Sequence, residues 1–256
     1  NFKFNHDLAK IKSINKDVSI SSVINNEINS LKWKYIYRIF HFNSTIFALY
    51  YDDHNKALYY SNNGPNGDFK IATGIPAGVE IRGMARSGNN LYAIAFNNSD
   101  NYILGGLYVS KMINNEYHFE LVKEMSHIKD YYGISSNGNL IYVATKENGL
   151  YYFEDGKHDQ IRGVTKFINK NTNKKTNEKR FNDVFVFDNM IFAIKDKNIF
   201  YSNGLNKDEF EVINTKLMDI DEITYIKSIA ILNDKIFLGT NNGLFISGEN
   251  AKNKSN

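Results

Sequence analysis

The sequence predicts an all-β fold, a five-bladed β-propeller with four antiparallel strands per blade. Three observations predict it. Matching residue columns recur five times along the 256-residue chain, the recurring segments are too short for helices, and Asn, Asp and Gly separate them. The leading column reads Ile46-Phe47-Ala48, Leu91-Tyr92-Ala93, Ile141-Tyr142-Val143, Ile191-Phe192-Ala193 and Ile236-Phe237-Leu238. Its aromatic members stand 45, 50, 50 and 45 residues apart, the length of a propeller repeat.

Each unit is read strand by strand. A first strand opens ten residues before each aromatic, at Tyr37-Arg38-Ile39, Arg82-Gly83-Met84, Tyr132-Gly133-Ile134, Asn182-Asp183-Val184 and Lys227-Ser228-Ile229. It ends at a turn-forming pair that tolerates positive φ: Asn43-Ser44, Gly88-Asn89, Asn137-Gly138, Asp188-Asn189 and Asn233-Asp234. The second strand carries the aromatic column and is apolar at successive positions, as a strand covered on both faces must be. A third strand follows at Leu58–Ser61, Leu107–Ser110, Leu150–Phe153, Ile199–Ser202 and Leu244–Ser247, with Gly106, Gly149 and Gly243 before three of them. The fourth is read at Phe69–Ile71, His118–Val122, Gln160–Val164 and Glu209–Ile213. Too little chain follows Ser247 for a fourth strand in the last unit, so the N-terminal stretch Asp17–Val23 is expected to complete it and remove an exposed edge. Residues 1–16 are then a tail or an extension of that strand, 17–250 one propeller domain, and 251–256 a C-terminal tail.

Composition narrows the classes. With 42% apolar and 14% aromatic residues the chain is not intrinsically disordered, and without cysteine it has neither disulfides nor thiolate chemistry. No apolar run approaches the ~18 residues of a membrane span. A net charge of +3 is too small to imply nucleic acid. Heavy use of Asn, Lys and Ile points to an AT-rich bacterial genome. The chain opens at Asn1 without Met and without an apolar leader, which reads as a mature or trimmed form, one alternative being a form that has lost a membrane-surface tether. A cell-surface or secreted location is expected, with a cytoplasmic one as the alternative.

The stretch Leu58-Tyr59-Tyr60-Ser61-Asn62-Asn63-Gly64 followed by Phe69 resembles the repeats of sialidase-type (Asp-box) propellers, and Ile199–Gly204 with Phe210 is similar. Asn242–Ser247 resembles the propeller repeats of bacterial two-component sensor ectodomains. The resemblance spans residues ~36–247. It departs from the Asp-box pattern in lacking the Asp after Ser61, Ser110, Ser202 and Ser247, and Trp33 lies outside the motif. No sialidase active-site column has a match here.

Two groups of residues are candidates for binding. Tyr37, Arg82, Tyr132, Asn182 and Lys227 open the first strands and are expected to ring one mouth of a central channel, where they can hydrogen-bond to and stack on a ligand. The bland alternative is a wet channel mouth. Second, Lys166, Lys170, Lys174, Lys175, Lys179 and Arg180 give the run 166–180 six positive charges against Glu178 alone. This reads as a long flexible basic loop between the third and fourth blades, either a solvated insertion or a contact for an acidic partner, an anionic glycan or a lipid head group. Without interleaved aromatics it is no single-strand nucleic-acid platform.

No metal site is expected. Asp52-Asp53-His54 and the acidic group Asp219, Asp221 and Glu222 lack ligand spacing, and the six histidines occur singly. No catalytic residue, cofactor fingerprint or nucleophile motif is found. The expected function is non-enzymatic, a monomeric interaction propeller that recognises a protein or glycan through its top-face loops and channel mouth. The alternative is a glycan-active enzyme, which needs two carboxyls ~5–9.5 Å apart. Among the inner strands only Asp183 stands in register for this, with Asp130 just upstream of the neighbouring blade.

Overall fold

The computed structural model of the protein describes residues 3–4, 36–51, 56–63, 68–76, 78–96, 105–128, 130–169, 174–176, 178–187, 189–203, 209–213, 225–232, 235–241 and 243–246. Strand β1 (Lys3–Phe4) comes first in the chain. Strands β2 (Ile36–Phe42), β3 (Thr45–Tyr51), β4 (Lys56–Ser61) and β5 (Lys70–Ile71) form one sheet in that order. Strands β6 (Glu80–Ser87), β7 (Asn90–Phe96), β8 (Gly106–Ile113) and β9 (Glu116–Leu121) form the second. The third holds β10 (Tyr131–Asn137), β11 (Leu140–Thr145), β12 (Leu150–Glu154) and β13 (Arg162–Gly163).

The fourth sheet begins with an addition, β14 (Lys166–Asn169) and β15 (Lys174–Thr176), followed by β16 (Asp183–Phe187), β17 (Met190–Lys195), β18 (Asn198–Ser202) and β19 (Glu209–Ile213). The fifth joins β20 (Ile226–Leu232), β21 (Lys235–Thr240) and β22 (Gly243–Ile246) to β1. Successive four-stranded antiparallel meanders of this kind are the blades of a five-bladed β-propeller.

Two strand readings change. The last blade is completed from the N-terminal end of the chain, but the described pairing is Lys3↔Ile246 and Phe4↔Phe245. It falls in the segment read as a tail or strand extension; Asp17–Val23 lies outside the described residues. The basic run read as a flexible loop contains two paired strands. β14 pairs in parallel with β19 and β15 pairs antiparallel with β14, so blade four is a six-stranded sheet. Phe167 drives this docking: it is buried and meets the rings of Phe181, Phe200 and Phe210 at 5.2, 5.5 and 6.0 Å.

The turns follow local chemistry. Asn43, Gly88 and Asn189 take the positive φ expected of their hairpins. In the third blade the turn is Gly138-Asn139, one residue later than the Asn137-Gly138 pair, since β10 runs through Asn137 and Gly138 has φ of 56°. Asn233-Asp234 lies outside the described residues.

The described residues fall into two compact units, drawn from Asp7–Arg86 with Asn90–Lys129 and from Asn1–His6, Ser87–Asn89 and Asp130–Asn256. The unit holding blades one and two has a core of Phe47, Tyr60, Ile81, Leu91, Tyr108 and Phe119. Tyr117 packs edge-on against Phe47 and Tyr60 at 5.0 and 4.9 Å. The unit holding blades three to five has one cluster around Tyr142, Phe181, Phe200 and Phe210 and another around Phe192, Ile194, Ile226 and Leu238. The second strands of blades one to four are buried on both faces, as their unbroken apolar runs require: Tyr92, Ala93, Ile94, Ile141, Tyr142 and Val143 are fully covered, whereas β21 buries only the alternate residues Ile236 and Leu238.

A buried serine recurs in the third strands. Ser61, Ser110 and Ser202 are buried, and Ser110 Oγ accepts a hydrogen bond from the Leu91 amide at 2.8 Å, beside the hairpin turn. Between blades three and four the first strands lie so close that a Cβ on Gly133 would stand 2.7 Å from Asp183 Cα and the Val184 amide nitrogen. Ser135 Oγ accepts from the Val186 amide at 3.0 Å in the same seam. Gly133→Ala is therefore expected to destabilise the protein by about 1–3 kcal/mol, and Phe167→Ala by about 3–5 kcal/mol. Urea unfolding followed by tryptophan-independent far-UV circular dichroism checks both; wild-type midpoints in either variant would contradict these contacts.

Candidate functional site

The residues that open the first strands are set by a recurring backbone irregularity. In β2 the ladder shifts register between Ile36 and Arg38, in β10 between Tyr131 and Gly133, and in β20 between Ile226 and Ser228. The extra residue is Tyr37, Tyr132 and Lys227 respectively, which are three members of the column singled out above. A β-bulge re-aims the side chain that it carries and ends regular pairing locally. Tyr132 is half-buried and Lys227 exposed. Asn182 comes just before β16, with its backbone N–H donated to the Ile194 carbonyl at 2.7 Å.

Arg82 is differently employed. Its guanidinium lies 3.8 Å above the centre of the Phe96 ring and 3.9 Å from Glu80, which also pairs with Lys56 at 3.8 Å. The Arg82 carbonyl accepts from the Arg38 guanidinium. Its side chain thus braces blade two, with only a fifth of its surface exposed.

The loops between second and third strands gather at the strand openings within the same blade. Thr145 Oγ1 donates to the Gly149 carbonyl at 2.8 Å, and Thr240 Oγ1 to the Gly243 carbonyl at 2.9 Å. Each clip closes its loop over a glycine of positive φ, 99° at Gly149 and 119° at Gly243. The following residues reach back to the segment before the first strand: Lys146 N–H to the Asp130 carbonyl at 3.0 Å, and Asn241 N–H to the Tyr225 carbonyl at 3.2 Å. The openings of blades four and five are each tied to the blade before. Phe181 N–H donates to the Thr145 carbonyl (2.9 Å) and Ile226 N–H to the Asp196 carbonyl (2.8 Å). Residue-column reasoning missed Asn148 and the two threonines; the repeated Thr before Gly149 and Gly243 was the signal.

Asp130 is the carboxyl with a distinctive environment at this end. Asn148 Nδ2 donates to its Oδ1 at 3.0 Å, while Oδ2 is covered by protein and has no hydrogen-bond partner. Burial pushes its carboxyl above the ordinary aspartate range, against the Asn148 hydrogen bond. Tyr151 is raised in turn, first by burial and then by the Asp130 charge. Asp183 sends its Oδ1 to the Val184 amide at 2.8 Å.

In the basic run, Lys166, Lys175, Lys179 and Arg180 are exposed, and Lys174 stands on β15. Lys170 lies outside the described residues, as do Asp52-Asp53-His54 and Asp219, Asp221 and Glu222. Among the described residues no three His, Asp or Glu side chains gather to hold a metal ion, and no helix is long and apolar enough to cross a membrane.

No protein-family model matches the chain, and no curated protein matches it in sequence. Solved structures do match in fold. The computationally designed Ika8 protein is similar with a TM-score of 0.54 at 10% identity, over 82% of this chain and 57% of that one. The WD40 β-propeller domain of Doa1 is similar at 0.52 and 8% identity, over 85% and 65%. AztD from Citrobacter koseri gives 0.51 and 12%, over 82% and 55%. The chain spans less than two thirds of each of these, and at such identities the likeness shows the propeller fold alone.

The Asp130 environment makes a test of pH. In the folded state the carboxyl holds its proton more tightly than the ordinary value of about 3.9 in the unfolded chain. Stability is therefore lost as pH rises from that ordinary value through the raised one, and the loss is complete above it. Asp130→Asn is expected to raise Tm at pH 7, with the gain shrinking as pH falls toward 3. A gain that is the same at both pH values would contradict the assignment.

Proposed function

We propose that this propeller is a non-enzymatic, monomeric binding module that engages a protein or glycan partner through Tyr37, Arg82, Tyr132, Asn182 and Lys227 and the adjoining loops. The observation that carries the reading is the bulge at Tyr37, Tyr132 and Lys227. A bulge gives up regular ladder pairing, and three blades place it at the same column, where the carried residue is aromatic or cationic rather than core-forming. Tyrosines supply large, stiff contact area and a hydroxyl, which suits both carbohydrate faces and protein hot spots. Within the set Arg82 is the brace, since its side chain is held by Phe96 and Glu80. The Asp-box-like and sensor-like repeats described above, and a bacterial cell-surface or secreted setting, belong to the same proposal.

One observation favours a glycan-active enzyme instead: the raised carboxyl of Asp130 is of the kind a general acid needs. Its Oδ2 is covered by protein, however, and Asp183 spends an oxygen on its neighbour's amide. Binding is the reading the geometry supports better.

A glycan array and a pull-down test it directly. Tyr132→Ala and Lys227→Ala are each expected to weaken the leading glycan or partner about ten-fold, or ~1.4 kcal/mol, with Tm of Lys227→Ala unchanged. Equal binding by both variants would overturn the site, and product release from any arrayed glycan would overturn the non-enzymatic assignment. For location, protease added to intact source cells is expected to remove the protein, whereas survival until lysis would place it inside.

A further inference from the structure

We propose that the β14–β15 hairpin of blade four is a docking edge for an acidic, extended polypeptide segment that adds as a further strand beside β15. This goes beyond the strand-opening reading and rests on different residues. The sheet order is β15-β14-β19-β18-β17-β16, so among the described residues β15 is the outer edge of a six-stranded sheet. A sheet edge offers backbone N–H and C=O groups for strand addition.

Two features make this edge different from a solvated loop. It is held in place before any partner arrives: Phe167 is buried among Phe181, Phe200 and Phe210, and the ladder runs Phe167↔Thr176, Ile168↔Lys175 and Asn169↔Lys174. Little ordering cost then remains to be met on binding. Nor does the run cancel its own charge. Glu178 is the sole acidic residue in 166–180, and its carboxylate is taken by Lys195 on β17. The positive charge of the run faces outward from exposed Lys166, Lys175, Lys179 and Arg180.

Charge decides which strand is accepted. Lysines on an edge repel basic strands and make pairing with apolar ones costly, because their charge would have to be desolvated. The same lysines attract a strand carrying carboxylates. Lys175 stands exposed on β15. An added acidic strand therefore meets this cation at cross-strand distance, about 4.5–5.5 Å between Cβ atoms. An anionic glycan would read the charge without using the backbone edge, which is why a polypeptide is the occupant proposed.

The test is fluorescence anisotropy on the full chain with a labelled 12-residue peptide alternating Glu with Val and Thr. Binding is expected to weaken at least ten-fold when Gln replaces Glu, when alternate peptide nitrogens are methylated, and in Lys175→Glu/Lys179→Glu. The milder Lys175→Gln/Lys179→Gln, checked by circular dichroism for an intact fold, is expected to weaken it in the same direction. Equal binding by the Gln peptide would overturn the role of charge, and equal binding by the methylated peptide would overturn strand addition. Binding of a sulfated polysaccharide but not of the acidic peptide would assign the surface to anionic glycans and overturn the proposal, as would no binding at all.

Discussion

A strand whose two faces are both apolar has no stable existence until something covers each face, and this constraint governs the second strands of blades one to four. Tyr92-Ala93-Ile94 and Ile141-Tyr142-Val143 have no accessible surface left, and Ile191, Ala193 and Ile194 are covered as completely. Burying one such large side chain is worth about 1.5–3 kcal/mol. The gain is realised only when the flanking sheets are in place. Small residues beside large ones let the layers close: Ala48, Ala93 and Ala193 stand next to Phe47, Tyr92 and Phe192. Where even a methyl group is too much, at the meeting of β10 and β16, the residue is Gly133.

Polar chemistry is confined to what this packing leaves at the strand ends. The backbone donors and acceptors there are satisfied by short loops that fold back, through the Thr145 and Thr240 clips and the Lys146 and Asn241 amides. Bulges at Tyr37, Tyr132 and Lys227 turn residues out of the ladder at the same end. Positions free of core duty and presented on a rigid frame are where recognition residues are accommodated at least cost in stability.

Most of the architecture was legible because its signal is repeated. The aromatic column marks the second strands, and the Asn and Gly pairs mark turns at Asn43, Gly88 and Asn189. What escaped was set by tertiary partners or by weak local signals. Asn137 and Gly138 are adjacent turn formers, and a one-residue choice between them is made by the ladder, which pairs Asn137 with Leu140. Lys3-Phe4 is too short to read as a strand before β22 supplies its partner. The hairpin of blade four has a loop-like composition, and only the ring contacts of Phe167 with residues up to 43 positions away reveal it as sheet. At the candidate site the column positions could be read, but the bracing of Arg82 by Phe96 and the covering of Asp130 depend on folds of the chain that no local pattern carries.

The hydrogen bonds from Phe181 to Thr145 and from Ile226 to Asp196 run from each of blades four and five to the loop of the blade before it. They act as couplings in series, so each entry loop serves as the fixed post from which the next wedge is hung. Damage to one loop therefore does not stay with its own blade. It loosens the starting point of its successor, and the three wedges of this unit stand or fall as a linked row rather than as separable modules.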